Sequence, residues 1–501
     1  MMPSDEASSG GTLDALARDV DQLRRELDGA QQQWSPWIGR VAPQRRSSAV
    51  NMAHYWAIRQ HDLRDLQTRL AEVGLSSLGR SEPHVQRTLD LVAGALCALR
   101  GRRQPAFADN AIGVREGYDI LQQRTEELLG PRPGRRSVRI MVTLPTEAAK
   151  DERLVSEMVA HGMDVARINC AHDGPDDWRA MAANVRSAAR EHGRACRVAM
   201  DLAGPKLRTG ALQPEDAHLM LGAGDLLRLT RDAEPATADS HRIGCSLPQV
   251  FDHAEPGHRI YFDDGKLGGV VVSVDSEGLD VRIDHPARDK AKLKPGKGVN
   301  VPDTDLHISA ITDKDLDDLS TVVDIADVVE VSFVRDPEDV QRLLDELDRR
   351  NASELGVVAK IETKPAFEKL PQILMTLMQR SRAGVMIARG DLAVEVGYER
   401  MAELQEEMLW LCESAHLPVL WATQVLETLA KKGQPTRAEV SDAAMGVRAE
   451  CVMLNKGPYI TDAVSTLDSI LCRMEKHRYK KNPLLRTLTS WRPDAAEFIG
   501  T

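Results

Sequence analysis

Between residues 137 and 478, short β-rich runs alternate with amphipathic helical stretches, and this alternation limits the possible folds more than any other feature of the chain. The strand candidates are Arg139–Leu144, Asp164–Asn169, Arg197–Asp201, Val328–Phe333, Val357–Glu362, Gly384–Ala388, Pro418–Thr423 and Cys451–Asn455, with Ile460–His477 as a closing helix. Eight such strands with helical crossovers predict an α/β fold, a (β/α)8 TIM barrel, with a doubly wound sheet as the alternative.

The rhythm breaks once. Residues 210–298, between the third and fourth strands, are rich in Gly, Asp and Val and carry alternating runs such as Asp225–Leu229, His258–Phe262 and Gly269–Val274. They predict an inserted small β-barrel domain, placed to act as a lid; a passive decoration is the bland alternative. Residues 1–136 read as a helical N-terminal extension and linker. Leu13, Leu16, Val20, Leu23 and Leu27 fall at helical spacing, further helical stretches run over about 48–73 and 82–99, and Gly130-Pro-Arg-Pro-Gly-Arg-Arg136 is rich in breakers. The barrel is then expected over 137–209 and 299–478, with 479–501 as a short tail.

Composition serves to exclude. Hydrophobic content of 42% and charged content of 28% are those of an ordinary globular chain, and a net charge of −11 argues against a nucleic-acid or anionic-membrane binder. No apolar run reaches membrane length. The start, MMPSDEASSGG, lacks the basic and apolar regions of a targeting peptide. Seven scattered cysteines without a CxxC pair fit a reducing compartment, so the expected address is the cytoplasm.

Polar residues gather where the strands end. Arg167 and Asn169 close the second strand, Asp201 the third, Lys360 and Glu362 the fifth; Asp391 follows the sixth after Arg389-Gly390, and Thr423 closes the seventh. Each alone has a dull explanation: Lys-x-Glu is usually an ion pair, and Asp391 could be a helix N-cap. In a barrel, however, all of them meet at the C-terminal mouth, where active sites of this architecture are built. Glu362 and Asp391 are hard oxygen ligands suited to Mg²⁺, and Lys360 and Arg167 can neutralise a transferring phosphoryl group. A Walker loop and a protein-kinase glycine loop are both missing.

The segments GMDVARINCAH, AMDLAGPKLRTG, IYFDDG, KGVNVPDTD, VVAKIET, GVMIARGDLAVEVG, LWATQVLETL and PTRAEVSDAAMGV, in this order, resemble the pyruvate kinase family over about Arg139 to Glu475. The resemblance implies phosphoryl transfer between phosphoenolpyruvate and ADP, giving pyruvate and ATP. It implies that Lys360 contacts the transferring group, that Glu362 and Asp391 bind Mg²⁺ (or Mn²⁺), and that Arg167 contacts the phosphate. Gly390 and Asp391 would hold the substrate carboxylate with Thr423, which also lies where the enolate is protonated. Asn169, His172, Arg208 and Lys297 would line the nucleotide side.

Several positions depart from the family pattern. Asn169-Cys-Ala171-His172 lacks the usual serine hydroxyl, and Asp201-Leu-Ala-Gly-Pro-Lys206 carries Lys206 in place of a glutamate. Members that work without potassium share this second pattern, so the monovalent-cation region formed by Asn169, Asp201 and Lys206 is expected to use the Lys206 ammonium, with potassium not required. Asn455-Lys-Gly-Pro-Tyr459 replaces the family's Ser-Gly-Glu-Thr-Ala. The residues after 478 are too few for the family's C-terminal regulatory domain, so sugar-phosphate activation is not expected; a homo-oligomer is, either a dimer through the barrel or a different assembly using the N-terminal helices. Two other readings stand beside this one: a metal-dependent enolate-forming lyase, and a catalytically silent regulatory or binding protein.

Overall fold

The computed structural model describes residues 5–475 apart from 105, 233, 238 and 239. The expected tail 479–501 and the last two residues of the expected closing helix lie outside the described residues; that helix is seen as Ile460–Met474.

The eight strands all form and close into one parallel barrel. They are β1 (Arg139–Thr143), β2 (Val165–Asn169), β3 (Arg197–Asp201), β4 (Val328–Val331), β5 (Gly356–Ile361), β6 (Ala383–Ala388), β7 (Val419–Ala422) and β8 (Cys451–Leu454). Each strand pairs with its sequence neighbours, and β1 pairs with β8 from Arg139 opposite Cys451 to Val142 opposite Leu454. The doubly wound alternative is thereby set aside. The helices outside bury one stripe each. In Pro337–Arg349, Val340, Leu343, Leu344 and Leu347 face the barrel at helical spacing, and the Asp336 carboxylate caps the start by accepting from the Asp339 N–H at 3.0 Å.

The N-terminal extension is helical, with differences from the periodicity reading. The stretch expected over 48–73 is two helices, Arg46–Ile58 and Arg64–Glu72, broken where Asp62 accepts the Arg64 N–H at 3.1 Å and turns the chain. A further helix, Val114–Leu129, was not expected. Its apolar residues are few, but Leu128 and Leu129 enter the barrel floor and join Met141, Val165, Ala199, Val328, Val358, Met386, Leu420 and Cys451 in one apolar cluster. Gly356 and Gly384 leave the room for this: a Cβ at either would lie 2.7 Å from a Leu128 methyl. The extension is also bolted to the barrel's underside, with Arg45 donating to the Ser381 carbonyl at 2.6 Å and Asn51 to the Ser414 carbonyl at 2.8 Å. The segment read as a linker is anchored too, because Arg136 is buried and bonds Asp468 and Asp164, each at 2.7 Å.

The insertion after β3 is β-rich, and its central strands include Leu226–Thr230, Arg259–Phe262, Leu267–Val274 and Gly278–His285. It has its own apolar core, running from Leu207 to Val299, separate from that of the barrel. It leans on the two helices after β6, Arg389–Val396 and Tyr398–Ser414, where Asn300 donates to Glu395 at 3.1 Å and the Tyr398 hydroxyl donates to the Asp264 carbonyl at 3.3 Å.

Candidate active site

Alternation along the strands builds the site. Met141, Val165, Ala199, Val328 and Val358 point into the barrel and form an apolar layer. Two residues further along each strand the same inward direction recurs. Those positions are Thr143, Arg167, Asp201, Glu330 and Lys360, so a polar layer lies directly on the apolar one, toward the C-terminal mouth.

All five are buried, and they are joined by hydrogen bonds and ion pairs. Arg167 donates from Nε to Glu330 at 3.1 Å and from Nη1 to Thr143 at 2.8 Å, and pairs through Nη2 with Asp201. Lys360 lies 3.2 Å from Asp201, 3.1 Å from Glu362 and 2.7 Å from the Ser332 hydroxyl. Burial works against charge on both cations. Even so, Asp201 with Glu330 raises the pKa of Arg167, and Asp201 with Glu362 raises that of Lys360, so both stay protonated. Burial also pushes the Asp201 carboxyl up, but Arg167 and Lys360 outweigh it and hold it below the usual range. Burial raises Glu362, and the neighbouring Asp391 raises it further. The Cys170 thiol is also buried, and burial pushes its pKa up, away from the reactive thiolate.

Glu362 and Asp391, the pair expected to bind a divalent metal, lie close enough for each carboxylate to influence the other. The Phe333 N–H donates to one Glu362 oxygen at 2.8 Å and so orients the carboxylate. Asp391 sits in the first turn of the helix Arg389–Val396 and pairs with Lys206 at 3.1 Å. The mutual influence of the two carboxylates and the lysines held against them mark a place where positive charge is called for. Two hard oxygens fit a divalent ion that takes its other ligands from substrate and water. Among the described residues there is no cluster of three or more potential metal-ligating side chains.

Thr423 is held in place by its neighbours. Its hydroxyl accepts the Gly390 N–H at 3.1 Å, and a Cβ at Gly390 would come within 2.9 Å of that oxygen. Arg389 lies 4.5 Å over the Trp421 ring, donates to the Ala422 carbonyl at 3.1 Å and pairs with Asp442.

The remaining sequence candidates fall into two groups. Asn169 accepts the N–H of Ala171 at 3.0 Å, and exposed His172 follows in the same loop after β2. Arg208 and Lys297 sit together at the base of the insertion, with Arg208 donating to the Gly296 carbonyl at 3.0 Å and Lys297 paired to Asp263 at 2.9 Å. Lys206 reaches Asp391 and makes no ion pair with Asp201 among the described residues. Its positive charge therefore lies on the side of Asp391 and Glu362. Glu330 and Ser332 were missed by sequence reasoning. Neither stands at a strand end with a motif around it, and only the inward alternation of β4 could have found Glu330.

A closed eight-stranded barrel with an inserted β domain and a charged layer at its C-terminal mouth defines the class: a (β/α)8-barrel protein. The family model "Pyruvate kinase, barrel domain" matches residues 135–464. Pyruvate kinase of Mycobacterium tuberculosis (strain CDC 1551 / Oshkosh) is 32% identical over 353 residues, covering 69% of this chain and 72% of the relative. That of Thermotoga maritima is 30% identical over 368 residues, covering 73% of this chain and 76% of the relative. That of Hypocrea jecorina is 33% identical over 324 residues; this match covers 63% of this chain and spans only 58% of the relative's length. The chain belongs to the pyruvate kinase family.

Proposed function

We propose that this protein transfers the phosphoryl group of phosphoenolpyruvate to ADP, giving pyruvate and ATP, with Mg²⁺ or Mn²⁺ and without potassium. The observation that carries the reading is the meeting of Arg167, Lys360, Glu362, Asp391 and Thr423 at one barrel mouth in a chain of this family. Arg167 and Lys360 are fixed cations that bind and align the phosphoryl group, so their charge is in place before the reaction needs it. A divalent cation on Glu362 and Asp391 would supply charge to the carboxylate and enolate oxygens of the substrate. The P–O bond to the enol oxygen breaks as one to ADP forms, and the enolate takes a proton at the Thr423 side through water. Asn169, His172, Arg208 and Lys297 serve the nucleotide, with the insertion as the lid.

Lys206 supports the potassium-independent reading, since its ammonium is paired with Asp391 at 3.1 Å. The protein is taken to be a cytoplasmic homo-oligomer, a dimer, with neither nucleic acid nor membrane as partner; no helix among the described residues is long and apolar enough to cross a membrane.

The test is pyruvate formation from phosphoenolpyruvate with Mg²⁺, with and without ADP, in the wild type and in Lys360→Met. Turnover that needs ADP and falls by about 10²–10³ in the variant is expected. Pyruvate formed without ADP would make the protein a lyase, and a wild type that binds but never turns over would make it a regulatory protein. Initial rates are expected to be equal with and without potassium; a strong potassium requirement refutes the role given to Lys206.

A further inference from the structure

Glu330 is a buried carboxylate inside the barrel, and one of its oxygens, Oε1, has no hydrogen-bond partner. A buried, half-satisfied carboxylate is costly, so a group kept only for stability would be a poor choice here. Charge balance does not call for it either. Arg167 already pairs with Asp201, and Lys360 pairs with Asp201 and Glu362. Glu330 adds a negative charge to a layer that is to receive an anion.

Its geometry offers a reason. A guanidinium has five N–H donors. Arg167 commits Nε to Glu330, one Nη1 hydrogen to Thr143 and one Nη2 hydrogen to Asp201. These acceptors come from three strands, β4, β1 and β3, and fix the plane of the group on every side but one. One hydrogen remains on each terminal nitrogen, and both can donate to oxygens of a phosphate.

We propose that Glu330 is a positioning residue, whose carboxylate holds the Nε edge of Arg167 so that the remaining N–H of each terminal nitrogen addresses the phosphate of the substrate. The inference rests on the reading of Arg167 as the phosphate contact. The free Oε1 fits the arrangement. Burial first, and then Asp201, push the Glu330 carboxyl up to about 7 against the pull of Arg167 and Lys360, so Oε1 can take a proton as the anion arrives while Oε2 keeps its bond to Arg167.

The test compares Glu330→Gln with Glu330→Met. Both variants are neutral and similar in volume, but only Gln keeps an acceptor for Nε, so their difference isolates the hydrogen bond. In Met, the KM for phosphoenolpyruvate and its calorimetric dissociation constant are expected to rise about ten-fold or more, with the KM for ADP unchanged. In Gln, both should stay within about three-fold of the wild type. If Met does not fold, Glu330→Asp, which shortens the reach by one methylene, should show the same ten-fold rise. Equal phosphoenolpyruvate affinity in Gln and Met, or a parallel rise in the KM for ADP, would overturn the proposal. Wild type that binds phosphoenolpyruvate without forming pyruvate would sink the proposed reaction alone, and Glu330 would still be judged by the affinities. Wild type that binds neither phosphoenolpyruvate nor inorganic phosphate would end both.

Discussion

Arg167, Lys360 and Lys206 face Asp201, Glu330, Glu362 and Asp391 within one barrel mouth, and each cation has at least one carboxylate at ion-pair distance. Such a layer is held in place by its buried pairs, because removing Asp201 would take a shared counter-ion from both Arg167 and Lys360. Small changes of shape are therefore felt as strongly as changes of charge. A methyl group in Gly390→Ala would press on the Thr423 hydroxyl at 2.9 Å. We expect turnover to fall by about ten-fold or more while the melting temperature stays within a few degrees, because a displacement of even an ångström near the reacting atoms is costly. Steady-state kinetics beside a thermal melt check this; unchanged kcat would mean that the Thr423 hydroxyl has no part in the reaction. At this scale Arg167, Lys360, Glu362 and Asp391 were legible in the sequence, because strand ends and a local motif mark them. Glu330 was not, since one acid in Val328-Val329-Glu330-Val331 reveals its inward direction only once β4 has neighbours on both sides.

Among the elements, the helix Val114–Leu129 has the clearest consequence. Its Leu128 closes the barrel floor against two glycines, so the extension and the barrel share a core. Leu128→Ala should cost about 2–5 kcal/mol, as expected for a large-to-small change at a site that cannot collapse. Denaturant unfolding monitored by circular dichroism would show it, and a variant as stable as the wild type would mean that the helix is not a part of the barrel's folding unit. The helix escaped the periodicity reading because its apolar positions are sparse and the two that matter stand at its end. The eight strands were readable within a residue or two, since each is a short, mostly apolar run set between helical stretches.

The molecule as a whole joins the extension to the barrel through groups that titrate. Glu82 is buried at this junction, and burial together with Glu413 pushes its carboxyl up to about 8 from the ordinary 4.5, against Arg59 and Arg80. The folded state therefore binds more protons than the unfolded one between these values. The stability this group contributes is fully present below about 4.5 and is lost as the pH rises through about 8. Melting temperature should fall from pH 5 to pH 8, and Glu82→Gln should flatten that slope; an unchanged slope would show that Glu82 does not titrate there.

Local sequence by itself determined the eight strands, the inserted β segment and most of the charged residues that end the strands. These depend on periodicity, turn residues and spacing along the chain, which neighbours do not need to supply. Closure of the barrel decided the rest: the inward turn of Glu330, the reach of Lys206 to Asp391 and the seating of Leu128 in the floor. Each joins segments far apart in sequence, and its energy exists only when the strands curve around a common axis and bury those side chains together.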